Sequence, residues 1–468
     1  MKSIKILPYY FEHINDKYLI SNLSRDYIFL SQEDFERLYN ENISGDLEQK
    51  LYENHFIIYN EKELDNIIEK YRYMHAGLFK GTFLHIFVLT LDCNLNCLYC
   101  QAAYAKNNCF MDIDTAKKAV DIALQSPEKT LTFEFQGGEP LMNFPTMKFI
   151  IEYAQKYKNN KEIIFSLVTN AGLMTDDILD YLLLNDVNIC ISMDGPQNIH
   201  DTNRPTKSGK SNFEQAYYWY TRAKQKYGNC NKLSKVTALP TITRHSLKSP
   251  KEIINHYVKL ETTHISIREI SPFGRAAKNW NKISYTPEEF INFYTDCMDY
   301  IIELTLQGNT KIKESFTEMI LSKILGKNPV NYTDLRSPCG AAIGQIAYNW
   351  NGNVYTCDEG RMMANNGIEL FCLGNVNKNN YADLINSDTA CLVCNSSCVE
   401  TNPNCNVCVF NNICGLCPVY SYYTQNDFIG TPIKQDRCKI LKGIYRYIIS
   451  WLNSPDQEKR KLCYEWIK

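Results

Sequence analysis

Residues 84–100 read LHIFVLTLDCNLNCLYC, an apolar run of strand length that opens at once into three cysteines, Cys93, Cys97 and Cys100. The CxxxCxxC spacing places three thiols in one short loop. A cubane iron–sulfur cluster takes four ligands, so three cysteines hold three of its irons and leave the fourth open to another ligand. The same spacing also suits a structural zinc site or unrelated thiols, and the loop alone does not choose between them.

Outward from that loop, Leu84 to about Gln307 alternates β-rich apolar runs with amphipathic helical stretches, the pattern of βα units on a parallel sheet. Six runs read as strands: HIFVLTLD, TLTFEFQG, EIIFSLVTN, VNICISMDG, KVTALPTIT and HISIREISP. Helical stretches such as TAKKAVDIALQS and TMKFIIEYAQKY follow them. The apolar character of the runs fits strands covered on both faces. Six units are too few to close an eight-fold barrel, so the expected fold is α/β, a curved partial (β/α)6 barrel with its ligands at the C-terminal strand ends.

The whole chain sets the limits of this reading. Its 468 residues allow roughly two to four domains, and 44% hydrophobic with 22% charged residues is ordinary globular composition. A net charge of -2 argues against broad electrostatic capture of nucleic acid or anionic membrane. There is no run of 18 apolar residues and no long apolar stretch at the N-terminus, so the expected location is cytoplasmic. In that reducing compartment 19 cysteines, an odd number, speak for metal binding or thiol chemistry rather than disulfides. Cysteine is absent from residues 1–92 and crowded between Cys339 and Cys438, which divides the chain into three expected regions. Residues 1–80 read as a small N-terminal α+β domain with strands YLISNL and DYIFLS, residues 81–310 as the barrel, and 311–468 as a cysteine-rich domain needing metal for its core. Charge runs such as SPDQEKRK read as solvated faces.

With Tyr99 in the aromatic place of CxxxCxΦC after the first strand, the sequence resembles the radical S-adenosylmethionine (SAM) superfamily. The likeness continues one βα unit later, where Gln136-Gly137-Gly138-Glu139-Pro140 matches the GGEP motif that in this family receives the SAM amino group. Glycines allow close backbone approach and a carboxylate complements an ammonium. Later strand ends offer Thr169 with Asn170, then Ser192 and Asp194, where the family places groups for the SAM ribose and carboxylate; Arg204 and Arg268 are further candidates. Each of these also reads as a cap or turn residue. The resemblance implies SAM, a [4Fe-4S] cluster on Cys93, Cys97 and Cys100, and a 5'-deoxyadenosyl radical that abstracts hydrogen from unactivated C–H bonds.

The C-terminal cysteines resemble the SPASM domain, which carries two auxiliary [4Fe-4S] clusters. Cys339, Gly352 and Cys357 open the pattern, followed by CNVCVFNNICGLC, with Cys405, Cys408, Cys414 and Cys417, and by a last Cys438. Two residues rather than three precede Cys417, a departure from that pattern. The resemblance implies an outer cluster on Cys405, Cys408, Cys414 and Cys438, and an inner one on Cys339, Cys357 and Cys417. The inner cluster's fourth ligand stays open among Cys372, Cys391, Cys394, Cys398 and a vacant site; zinc ribbons are the alternative use of CxxC pairs. Asp358 after Cys357 corresponds to the carboxylate that takes a substrate proton in SPASM sulfatase maturases, with helix capping as its plainer role and Glu359 as substitute.

Residues 6–38 and 402–430 look most like the B-type radical SAM maturase of His-Xaa-Ser peptide systems. That likeness implies an oxidative maturase of a ribosomal precursor peptide, forming a crosslink or related bond. Its implied partners are the precursor, a second radical SAM maturase and a reducing protein such as flavodoxin or ferredoxin. The first region would then receive a leader peptide by strand addition along Tyr27 to Leu30. Two other readings stand beside it: a sulfatase-type maturase making formylglycine, and a non-catalytic Fe-S or zinc scaffold or electron carrier.

Overall fold

The computed structural model describes residues 4–102, 108–326 and 333–468. Contacts divide the chain into two compact units, Met1–Lys80 with Thr317–Gly340 and Asn395–Lys468, and Gly81–Phe316 with Ala341–Cys394. This differs from the three-part reading. The N-terminal region shares a unit with the cysteine-rich tail, and residues 341–394 join the barrel.

The second unit is built on an eight-stranded sheet. Five parallel strands follow the expected runs: β1 (Leu84–Thr90), β2 (Thr130–Gly137), β3 (Glu162–Thr169), β4 (Asn188–Ser192) and β5 (Val236–Leu239). Beyond β1 the sheet continues with β6 (Gln345–Tyr348), parallel to it, and then with antiparallel β7 (Asn353–Tyr355) and β8 (Cys372–Asn375). Helices α1 (Ile113–Ala123), α2 (Phe144–Tyr157), α3 (Asp176–Leu184), α4 (Phe213–Gly228) and α5 (Pro250–Lys259) alternate with these strands. Local chemistry starts them where the sequence changes period. Asp112 and Thr175 accept the backbone N–H groups of Thr115 and Ile178 at their N-termini.

The strands are not covered equally on both faces. Along β2, Leu131, Phe133 and Phe135 are fully buried, while Thr132, Glu134 and Gln136 between them are half-buried. In register beside Glu134 lie Ser166 on β3 and then Asn188 on β4, and Cys190 pairs with Thr237. One face therefore carries the hydrophobic core, and the other carries the partly accessible polar residues of a barrel interior.

The sixth expected strand is reduced. Only His264–Ile265 of HISIREISP is regular, paired with Lys313–Glu314 outside the main sheet. The segment still meets the chain just past β5 through a parallel bridge of Arg268 to Thr241, while the buried Glu314 carboxylate accepts the Ile267 N–H at 3.2 Å and the Tyr294 hydroxyl.

In the first unit, Tyr9–Ile14, Lys17–Asn22 and Tyr27–Leu30 form an antiparallel sheet. Helices Gln32–Tyr39, Gly45–Glu53 and Glu61–Met74 follow it. Ile20, Ile28, Leu30, Phe35, Leu38, Leu51 and Phe56 make the core of this region. The sheet is bonded to the tail: Ser21 Oγ donates to Val409 O at 2.6 Å, Arg25 Nε donates to Asn412 O at 3.1 Å, and Arg446 pairs with Glu12. These links tie residues 387 to 434 positions apart, which is why composition alone separated them. No described helix is long and apolar enough to cross a membrane.

The β6–β8 addition is clamped to the barrel through Tyr381. Its hydroxyl accepts the N–H of fully buried Thr82 at 3.0 Å, and it donates to Thr82 Oγ1 at 3.0 Å. Tyr381→Phe leaves that N–H without its acceptor. We expect a loss of about 1–3 kcal/mol, read as a lower calorimetric midpoint. An unchanged midpoint would show that this bond does not hold the two parts together.

Candidate functional site

The Cys93–Cys100 loop is laced to its surroundings by main-chain bonds. Asn96 N–H donates to Pro205 O at 2.8 Å, and Leu98 N–H to Asn203 O at 2.9 Å. Arg275 N–H donates to Cys100 O at 3.0 Å, across a close approach that leaves Gly274, at φ +57°, room only for hydrogen. Burial first, with a smaller contribution from neighbouring cysteine charges, pushes the Cys93 and Cys97 thiols up to about 12. Thiolates drawn partly out of water are costly unless a cation lies among them, so three partly buried cysteines in one short loop are a donor set that fits a metal cluster. Among the described residues, no three His, Cys, Asp or Glu side chains close to single-ion spacing.

The Gly-Gly-Glu turn at the end of β2 is bonded to the start of this loop. Gly138 N–H donates to Thr90 O and Glu139 N–H to Asp92 O, both at 2.8 Å. A Cβ at Gly137 would stand 2.1 Å from Thr90 O, and one at Gly138 would stand 2.1 Å from Asp92 O. The glycines are thus demanded by the chain's own backbone. Glu139 is 1% exposed, and its carboxylate accepts Thr169 Oγ1 at 2.6 Å, Asn170 N–H at 2.8 Å and Leu141 N–H at 3.1 Å. Its charge ties the end of β2 to the end of β3, while burial raises its pKa. Asn170 Nδ2 in turn donates to Asn94 Oδ1 at 2.8 Å, beside Cys93.

Asp194, just past β4, is fully buried. Its carboxylate accepts the Tyr99 hydroxyl at 2.9 Å and Thr241 N–H at 3.1 Å, and pairs with Arg204 at 3.1 Å. Arg204 also lies over the Tyr99 ring, 5.2 Å from its centre. Asp194 and Tyr99, both read from the sequence as groups near SAM, are therefore bonded to each other, and Arg204 completes a brace from β4 to the cysteine loop. Ser192 sits half-buried at the end of β4, in register with Leu239.

Asp358 lies in the first turn of α6 (Asp358–Ala364), a helix capped by Cys357, whose sulfur accepts Gly360 N–H at 3.3 Å. Its carboxylate is held by fully buried Arg361, through Nε at 3.0 Å and Nη2 at 2.6 Å. Sequence reading missed both Arg361 and Glu134. Glu134, on the inner face of β2, has its pKa raised by burial and further by the charge of Asp358, against the Gln136 hydrogen bond and Arg268. An acidic residue at a mid-strand position of TLTFEFQG was the available signal.

In the first unit, Cys405, Cys408, Cys414 and Cys438 line one cavity together with Cys417. Burial and their mutual charges raise Cys408, push Cys405 to about 12 and Cys438 to about 11. Four thiols in electrostatic contact match the donor set of a cubane. Cys417 caps helix Pro418–Gln425, its sulfur accepting Tyr420 N–H at 3.4 Å. Cys339 is buried in this unit, its N–H donating to Ser397 Oγ at 3.0 Å, while Cys357 belongs to the second unit.

Residues 87–253 match the Radical SAM superfamily model. The chain is 25% identical over 326 residues to a cysteine-type anaerobic sulfatase-maturating enzyme of Clostridium novyi, covering 65% of this chain and 82% of that one. An uncharacterised protein of Methanocaldococcus jannaschii is 40% identical over 125 residues, and there the chain spans only 43% of the relative's length. Among solved structures, anSMEcpe with bound AdoMet superposes with a TM-score of 0.64 at 20% identity, over 79% of this chain and 99% of that one. Streptococcus suis SuiB bound to its precursor peptide SuiA gives a TM-score of 0.55 at 13% identity, over 92% and 98%. Residues 87–253 thus carry the radical SAM match, and the chain has the fold of anSMEcpe and SuiB.

Removing the Arg204 charge tests the brace. Arg204→Met leaves the buried Asp194 carboxylate with its Tyr99 and Thr241 hydrogen bonds but no cation, which we expect to cost about 3–5 kcal/mol. Through the displaced cysteine loop it should slow methionine release from SAM roughly 100-fold. The double variant with Asp194→Asn should recover much of the stability. Equal stabilities of the single and double variants would refute the pairing.

Proposed function

We propose that the chain is an oxidative maturase of a ribosomally synthesised precursor peptide of His-Xaa-Ser type, forming a carbon-centred crosslink or related bond. The observation that carries the reading is the pairing of a three-thiol loop, bolted to a Gly-Gly-Glu turn, with a second gathering of four thiols at Cys405, Cys408, Cys414 and Cys438. Peptide as the substrate class is supported by the SuiB structure with its precursor SuiA and by anSMEcpe with a bound peptide.

In this reading Cys93, Cys97 and Cys100 hold the SAM-binding cluster, and auxiliary clusters draw on Cys339, Cys357, Cys405, Cys408, Cys414, Cys417 and Cys438. With SAM bound, the three-cysteine cluster supplies a 5'-deoxyadenosyl radical able to remove hydrogen from a substrate carbon. The chain's own residues do the rest. Gly137, Gly138 and Glu139 present main chain beside the cysteine loop to the SAM amino group. Asn170 and Ser192 at neighbouring strand ends border the SAM site. Tyr99, Asp194 and Arg204 hold the loop rigid. Arg361 orients the Asp358 carboxylate, whose Oδ2 takes the proton released as the substrate is oxidised. The N-terminal sheet receives the leader peptide; a companion radical SAM maturase and a flavodoxin or ferredoxin complete the system.

The likeness to the Clostridium novyi enzyme and the Cys357-Asp358 pair favour a second reading, oxidation of one Ser or Cys to formylglycine. Co-expression with a neighbouring precursor, followed by fragmentation mass spectrometry, separates the two. A product lighter by two hydrogens at two joined residues supports the crosslink, and a new aldehyde overturns it. Cys97→Ala should abolish methionine release. Asp358→Asn should lower product formation about 100-fold or more while methionine release persists, and an unchanged product yield would remove Asp358 from the mechanism.

A further inference from the structure

The inner face of the barrel wall carries a carboxylate, Glu134, near the middle of β2. The half-buried inner positions beside it are small and uncharged: Ser166 and Asn188 lie in register with it, and Cys190, paired with Thr237, lies two residues beyond Asn188. Strand β1 closes its own side of the wall differently. Its Ile86 and Val88 are buried in an apolar cluster with Leu91 and Ala347. At a strand rise of ~3.3 Å per residue, Glu134 sits about 10 Å before Gly137, where the turn meets the cysteine loop.

One oxygen of this carboxylate is taken. Gln136 Nε2 donates to Glu134 Oε1, and among the described residues no other donor bonds the group, so Oε2 has no hydrogen bond. A half-buried anion with an oxygen unserved is unfavourable until a donor arrives. Burial raises the Glu134 pKa most; the Gln136 hydrogen bond opposes it, the charge of Asp358 raises it further, and Arg268 lowers it by less than Asp358 adds. The neighbouring charges therefore leave a negative field on balance, one that favours a cation. Cys190, across β3, is acted on by the same Glu134 and Arg268 charges. These groups share one space.

We propose that Glu134 is a specificity-determining residue of the substrate site, its carboxylate receiving a cationic side chain of the peptide, which in the His-Xaa-Ser reading is a protonated imidazole. The inference rests on the proposed function and deepens it by naming the side chain that is bound. An imidazolium N–H donates to Oε2, while Gln136 holds Oε1 and fixes the plane of the carboxylate. The small neutral residues at the neighbouring inner positions leave room for a ring. An acidic side chain is set against Glu134 and the Asp358 charge together, and is turned away.

The test uses the full chain, reconstituted anaerobically with iron and sulfide and saturated with SAM, and reads peptide binding by calorimetry at about pH 6, where imidazole is largely protonated. The probes are short His-Ala-Ser repeat peptides and counterparts with Lys, Ala or Glu in place of His. Wild type should bind the His and Lys peptides roughly tenfold or more tightly than the Ala peptide, and the Glu peptide more weakly still. Glu134→Gln keeps the shape and removes the charge, so it should bring the His, Lys and Ala affinities within about threefold of one another. If that variant does not fold, Glu134→Ala decides. A Lys preference that needs Glu134, without a matching His preference, upholds the role of the carboxylate and overturns the His-Xaa-Ser reading instead. No preference for cationic peptides in wild type, or one that survives removal of the Glu134 charge, overturns the proposal.

Discussion

Two backbone hydrogen bonds set the geometry of this molecule. Gly138 to Thr90 and Glu139 to Asp92 join the turn after β2 to the first residues of the cysteine loop, at a distance that leaves no space for a side chain. Strand order in a parallel sheet places neighbouring C-terminal ends side by side, but it does not fix them to within an ångström. This contact does. It brings the three-thiol loop against the turn, and the buried Glu139 carboxylate carries the alignment onward to Thr169 and Asn170 on β3. A reactive centre that must be held in one orientation is thereby supported by rigid sheet rather than by the loop alone.

Buried charge organises the remainder of the second unit. Asp194 joins the ends of β4 and β5 to Tyr99, with Arg204 as its cation. Arg361 plays the corresponding part for Asp358. A partner in each case satisfies a carboxylate that would otherwise be too expensive to bury, and both cations come from close by in sequence, Arg361 three residues after Asp358 in the same helix. Glu134 differs. It shares the inner face with Gln136 and lies under the influence of Asp358 and Arg268, so burial leaves it more easily protonated than an ordinary glutamate.

Much of the fold was legible because its signals are local. The five parallel strands and the helices between them follow apolar periodicity. The sixth strand is shorter than its apolar run, and that run cannot reveal that Glu314, nearly fifty residues later, takes the Ile267 backbone donor. Coverage of the strands on both faces was likewise overestimated. Glu134, Gln136, Ser166 and Cys190 interrupt the runs at alternate positions, which is the mark of one open face. The domain division missed the bonds from Ser21 and Arg25 to the tail, since nothing in either segment alone marks them as partners.

Cysteine spacing within a loop, the two glycines of a tight turn, and the alternation of strand and helix are properties of a few consecutive residues. The amino-acid order alone determined these, and with them the chemistry of a three-thiol site beside a Gly-Gly-Glu turn. Which donors enclose Glu139, which cation answers Asp194, how Cys438 joins Cys405, Cys408 and Cys414, and why Asp358 and Arg268 bear on Glu134 were decided only in three dimensions. The physical reason is that hydrogen bonds and charge pairs act over a few ångströms of space, and a chain of this length can bring almost any two of its segments within that range.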